Sequence, residues 1–149
     1  MNITFSDRFP SMELTGKKDG GRPTVTLLEN LFVYEGDKVH LIPKFFTSDG
    51  ASSPLGSWNL FNPLDPDYFP EAVWHDWNYR AEIYSREKCD QLLYEALLSA
   101  KIVSDQKAWF MWFIVRSCGW NAWRKHTKKS VLDVRKLAGI YRDERPLFL

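Results

Sequence analysis

The apolar residues of this chain are distributed in two ways, crowded in short runs before residue 70 and spaced at helical intervals after it. Thr24 to Tyr34 is rich in Val, Thr, Leu and Phe and predicts a strand. Glu35-Gly36-Asp37 predicts a tight turn and Lys38 to Ile42 a returning strand, so a small antiparallel β-hairpin or sheet is expected here. Residues 1–23 predict an irregular segment, with Lys17-Lys18-Asp19-Gly20-Gly21-Arg22-Pro23 as a loop by composition. Residues 43–54 form a second loop, dense in small and turn-forming residues. Leu55 to Phe69 continues irregularly, with prolines at 63, 66 and 70 preventing a long helix.

Pro70 suits the first position of a helix, and Glu71 suits its first turn, so a helix to about Tyr84 is expected. Ser85 is a good N-cap for a second helix, Arg86 to about Ile102. Ser104 or Asp105 caps a third, running to about His126. Trp109, Trp112, Phe113, Arg116, Trp120 and Trp123 recur at helical spacing along it, and a stripe of that kind predicts core. Gly119 predicts a break or a close approach of two elements. The fold class expected is α+β: a small antiparallel sheet, then a three-helix core with an antiparallel helix pair.

Composition narrows this picture. A chain of 149 residues is long enough to bury a core without staples, and a single domain is expected, with residues 24–126 as its core and 127–149 as a basic C-terminal tail, in which Lys128 to Leu149 predicts a short helix and an extended end. Two cysteines, Cys89 and Cys118, are too few for a disulfide framework or a structural zinc site. The start of the chain lacks the pattern of a signal peptide. The longest apolar run, Ala108 to Val115, is eight residues, where a membrane span needs roughly twenty, so an interfacial helix is the most it could be. Formal charge is +1 overall but uneven: residues 1–100 hold 9 Lys and Arg against 15 Asp and Glu, and residues 101–149 hold 11 against 4. Either the two parts attract each other in the fold, or the C-terminal part meets an anionic partner.

The candidate chemistry lies on the first two helices. His75 and Tyr79 are four apart and share a face, and Asp76 lies about a hundred degrees round from His75. Asp90 precedes Leu93, Tyr94 and Leu97 by three, four and seven residues, so it borders an apolar stripe where a bare carboxylate is costly. A short connection near residues 83–85 makes the helices antiparallel and sets His75 and Asp90 within about one turn of the same level. A His75–Asp90 hydrogen bond fixes the imidazole tautomer and makes its other nitrogen a better base. Asp76 is then a candidate ligand for a hard cation, with the 47–53 loop and Asp49 as suppliers of further oxygens. Beside this catalytic reading stands a structural one, in which the same residues are a satisfied polar cluster.

Two resemblances bear on that choice. Residues 42–54 (Ile-Pro-Lys-Phe-Phe-Thr-Ser-Asp-Gly-Ala-Ser-Ser-Pro), 71–79 (Glu-Ala-Val-Trp-His-Asp-Trp-Asn-Tyr) and 85–90 (Ser-Arg-Glu-Lys-Cys-Asp) resemble, in order and spacing, an uncharacterised family of small phage and prophage proteins. That family's pattern is VPxGFxTDxASxP, then HDxLY, then SRxxAD. Phe45 stands where the pattern has glycine, and Ser48, Asn78 and Cys89 also depart from it. The resemblance implies a phage or prophage origin, in the virion or the host cytoplasm, with other phage proteins or the host envelope as partners. The helix pair alone resembles secreted phospholipase A2, whose His-Asp-x-x-Tyr helix packs against an antiparallel helix bearing a second Asp. That resemblance implies His75 as general base, Asp76 as calcium ligand, and Tyr79 and Asp90 in support. The cysteines and the glycine-rich calcium loop of those enzymes are missing here. Two functions are therefore expected as alternatives: a calcium-dependent, phospholipid-type ester hydrolase acting on the host envelope, or a non-enzymatic tail or assembly component. Nucleic acid is the least expected partner, because Arg124, Lys125, Lys128, Lys129, Arg135 and Lys136 accompany no reading motif.

Overall fold

The computed structural model describes residues 2–19, 22–48 and 64–149. Six strands precede five helices, so the α+β class holds, with an antiparallel β part followed by a helical core. The strands are β1 (Ile3–Phe5), β2 (Met12–Asp19), β3 (Arg22–Leu27), β4 (Leu31–Glu35), β5 (Lys38–Ile42) and β6 (Thr47–Ser48). They form two three-stranded antiparallel sheets, ordered β1-β4-β5 and β2-β3-β6.

The hairpin expected over residues 24–42 is present in its second half, where Glu35 pairs with Lys38 across a turn that holds Gly36 at φ +58°. On β4 the side chains alternate, with Leu31 and Val33 inward and Phe32 and Tyr34 outward, the signature of a half-buried strand. Two expectations are corrected. The stretch 24–34 is two strands, because the chain leaves one sheet at Leu27 and enters the other at Leu31. Residues 1–23 are not irregular but carry β1 and β2. Three residues are too few to show a period, and on β2 both Met12 and Leu14 are exposed, so backbone pairing with β3 rather than apolar alternation defines that strand.

The helices are α1 (Phe69–Arg80), α2 (Arg86–Ala100), α3 (Asp105–Cys118), α4 (Trp120–Arg124) and α5 (Lys128–Arg135). Helix α1 is buried on every side from Phe69 to Tyr79, which explains why its sequence shows no clean amphipathic stripe. Val73, Trp74 and Trp77 pack with Ile3, Val25, Leu31, Val33 and Ile42 of the sheets and with Leu92 and Ala96 of α2. The other side of α2, Leu93 and Leu97, packs on Ala108, Met111 and Val115 of α3. Residues 81–85 turn the chain back, so α2 runs against α1. Ser85 and Ser104 cap α2 and α3 by accepting the amides of Lys88 and Lys107. Helix α1 ends earlier than expected, because Glu82 takes a left-handed backbone (φ +43°) that a helix cannot continue through. Buried Arg135 satisfies the freed carbonyls there, donating to Ala81 and Glu82 at 2.6 and 3.0 Å.

The aromatic stripe is also corrected. Trp109, Phe113 and Trp120 are 48, 46 and 50% exposed, and the side of α3 that meets α2 is Ala108, Met111 and Val115. These smaller residues let the helices approach closely, while the large rings lie outward. The third helix closes at Cys118, and α4 follows Gly119 as a separate short helix. Beyond residue 127, α5 starts with a Thr127–Ser130 capping box, and Leu147 and Phe148 donate their amides to Glu82 and Ile83, each at 2.9 Å. Among the described residues no helix is long and apolar enough to cross a membrane.

Candidate functional site

His75 and Tyr79 project from α1 toward α2, where Asp90 meets both. The Asp90 carboxylate is 0% exposed, and burial on this scale is tolerated only where every lone pair finds a donor. His75 Nε2 donates to Oδ1 at 2.8 Å and the Tyr79 hydroxyl donates to the same oxygen at 2.8 Å. Arg116 of α3 donates to Oδ2 at 2.9 Å, and Arg86, one turn before Asp90 on α2, approaches it at 3.5 Å. Arg86 also donates to the carbonyls of Val115 and Arg116, at 3.4 and 3.1 Å, closing the C-terminal turn of α3. One carboxylate therefore joins three helices.

The electrostatics follow from this arrangement. Burial alone would raise the Asp90 pKa, but the hydrogen bonds from His75, Arg116 and Tyr79 hold it below the ordinary carboxylate value. Burial, with the charge of Asp90 beside it, pushes the Tyr79 hydroxyl far up, so it stays protonated and acts as a donor. Because ionised Asp90 only accepts, the proton of neutral His75 sits on Nε2, and Nδ1 is the nitrogen left with a lone pair. His75 is 6% exposed and packs against Tyr79 with the ring centres 4.4 Å apart and the planes tilted by 42°.

Gly119 completes the cluster. A Cβ placed there would lie 2.6 Å from the Tyr79 hydroxyl oxygen and 2.5 Å from the Val115 carbonyl oxygen, so only glycine admits the ring of Tyr79 this close. Trp123 of α4 then packs edge-on to Tyr79 at 5.1 Å.

The structure thus brings together His75, Tyr79 and Asp90, with the expected His75–Asp90 hydrogen bond. Asp76 is buried on α1 next to His75. Asp49 and residues 50–53 of the expected cation loop lie outside the described residues, whereas Thr47 at its start sits against α1 and accepts a hydrogen bond from Arg80. Among the described residues no group of three or more His, Cys, Asp and Glu side chains is arranged to hold a metal.

Sequence reasoning missed Arg86 and Arg116. Arg86 is four residues before Asp90, a spacing that places opposite charges side by side on a helix. Arg116 is the one charged residue between Ala108 and Gly119, a signal hidden inside the aromatic run. A second buried carboxylate, Glu82, was also missed. It accepts from His126 Nδ1 at 3.1 Å and from Arg145 Nη2 and Nε at 2.7 and 2.8 Å. With Asp90–Arg116, these pairs show the acidic N-terminal and basic C-terminal parts attracting each other.

Residues 25–115 match the family described as "Protein of unknown function (DUF1353)". The chain belongs to that family. The matched stretch carries His75, Tyr79, Arg86 and Asp90, and it ends one residue short of Arg116. No curated protein and no solved structure matches the chain.

Proposed function

We propose that this DUF1353 chain is a non-enzymatic phage or prophage component, of the tail or of its assembly, in which the His75–Tyr79–Asp90 set is a polar lock between helices. One observation carries the reading: the Asp90 carboxylate is fully buried and its donors come from α1, α2 and α3 at once. A group arranged in this way holds elements in register, as a buried polar set specifies one packing over others. The phage origin rests on the likeness of the three motifs in residues 42–90 to phage and prophage proteins.

A second reading is supported by the tautomer. With Nε2 donating to Asp90, the lone pair of His75 lies on Nδ1, the nitrogen that would serve as general base for attack of water on an ester. The lock makes Asp90 and its donors stabilising and leaves ester turnover absent. The test is a panel of fluorogenic phospholipids and simple esters, with and without calcium, comparing wild type with His75→Ala. No turnover above buffer, together with a lowered melting temperature for His75→Ala, supports the lock. Turnover by the wild type that His75→Ala abolishes replaces it with the hydrolase.

A further inference from the structure

The outward faces of α3 and α4 are unlike the rest of the helical layer. Trp109 and Phe113 stack on each other at 5.4 Å with their planes 16° apart, and both are about half exposed. Trp109 also neighbours Trp112, which in turn neighbours Tyr94 of α2. Trp120, at the start of α4, is half exposed as well, with the guanidiniums of Arg86 and Arg124 at 5.3 and 5.9 Å from its ring centre. Together Trp109, Phe113 and Trp120 leave on the order of 300 Å² of aromatic surface exposed, within the range of the largest patch on a typical monomer.

Charge decides what covers it. From Gln106 to Leu132 the chain has no Asp or Glu, while Lys107, Arg116, Arg124, Lys125, Lys128 and Lys129 all fall within that stretch. Arg116 is spent on Asp90, Lys128 on Asp143 and Lys129 on Asp133. Arg124, which lies over the Trp120 ring and donates to Asn121 at 2.9 Å, and Lys125 are both exposed and have no carboxylate partner among the described residues. Lys107 lies over the ring of Tyr68. Exposed Trp and Phe rings beside cations that no carboxylate neutralises match the boundary of an anionic membrane, where indole rings sit at headgroup level and cations face the phosphates.

We infer that the α3–α4 face docks on an anionic lipid surface, lying flat on it rather than crossing it. The inference does not rest on the lock: Trp109, Phe113, Arg124 and Lys125 make no contact with Asp90. Its test is co-sedimentation of the full chain with vesicles of phosphatidylcholine alone, and of phosphatidylcholine mixed equally with phosphatidylglycerol. Binding is expected to the mixed vesicles, weaker by about tenfold or more to the neutral ones, and to fall with added salt. Trp109→Ala/Phe113→Ala, both at exposed positions, should cut partitioning to the mixed vesicles by about tenfold while the far-UV circular dichroism is unchanged. Arg124→Gln/Lys125→Gln should do the same. Quenching of wild-type tryptophan fluorescence by brominated lipids gives a readout that needs no variant. The inference is overturned if the folded wild type binds neither vesicle, binds both equally, or binds as well without the two rings. It is likewise overturned if the rings instead mediate a dimer, seen as sedimentation of a larger species that Trp109→Ala/Phe113→Ala abolishes.

Discussion

Replacing Asp90 by Asn keeps the shape of the side chain and removes its charge. The amide has one acceptor oxygen where the carboxylate has two, so it can serve the His75–Tyr79 pair or the Arg116–Arg86 pair, but not both. A hydrogen bond to a charged group contributes about 1.5–3 kcal/mol, and removing one partner of a buried ion pair costs roughly 3–5 kcal/mol. Here the lower end applies. The side chain of Arg116 is 28% exposed and that of Arg86 15% exposed, so both guanidiniums can turn to water, whereas the Asn amide stays buried. The expected loss is about 3 kcal/mol, or roughly 6–12 °C in melting temperature for a protein of this size. Urea unfolding followed by tryptophan fluorescence measures it, with the slope against denaturant unchanged so that the midpoint reports stability. A loss below about 1 kcal/mol, the range of an exposed ion pair, refutes the lock. A gain refutes it more strongly, since a stabilising Asn is the mark of a site kept strained for function.

Three further outcomes are expected. Gly119→Ala would normally stabilise a right-handed helical position by about 0.5–1 kcal/mol, but here the new methyl meets the Tyr79 hydroxyl and the Val115 carbonyl, so a loss of about 1–3 kcal/mol is expected in thermal unfolding. Phe45 adopts φ +73° at the third position of a turn closed by the bond from the Phe46 amide to the Pro43 carbonyl, a site that favours glycine, and its ring is exposed. Phe45→Gly should therefore leave stability within about 1 kcal/mol of wild type, and a larger loss by urea titration counts against that geometry. Stability should fall as pH drops from neutral. The folded pKa of His126 lies below its ordinary 6.5, chiefly through burial, and the folded values of Asp90 and Glu82 lie below 3.8 and 4.5, where bonds to His75, Arg145 and their neighbours outweigh burial. In each case the unfolded chain takes up the proton first, so the contribution present above the unfolded pKa is lost as pH falls through the folded one. Glu71, raised mainly by burial against the opposing pull of Arg8, acts in the opposite sense, its contribution being lost as pH rises through its folded value. Urea midpoints from about pH 2 to 8 check the sign, and Asp90→Asn should flatten the acid end of the profile.

How much of this was legible depended on the range of the interaction. The caps at Ser85 and Ser104 were readable because a cap is made within four residues. The turn at Gly36 was readable for the same reason. The level of His75 with Asp90 was readable because two helices joined by a short connection have little freedom of register. Whether Ala108, Met111 and Val115 or the tryptophans of α3 faced inward was not, since both sets recur at helical spacing and only the α2 surface selects between them. Strands β1 and β2 escaped notice because pairing with distant strands, rather than their own alternation, makes them strands. Local spacing and capping were enough to place the polar pair and the helices that carry it. That Asp90 is sealed by Arg116 from a third helix, that Gly119 makes room for Tyr79 and that Trp109 and Phe113 face outward came from packing between elements. The physical reason is that burial of a charge and exposure of a ring are properties of what packs against them, and those neighbours lie tens of residues away along the chain.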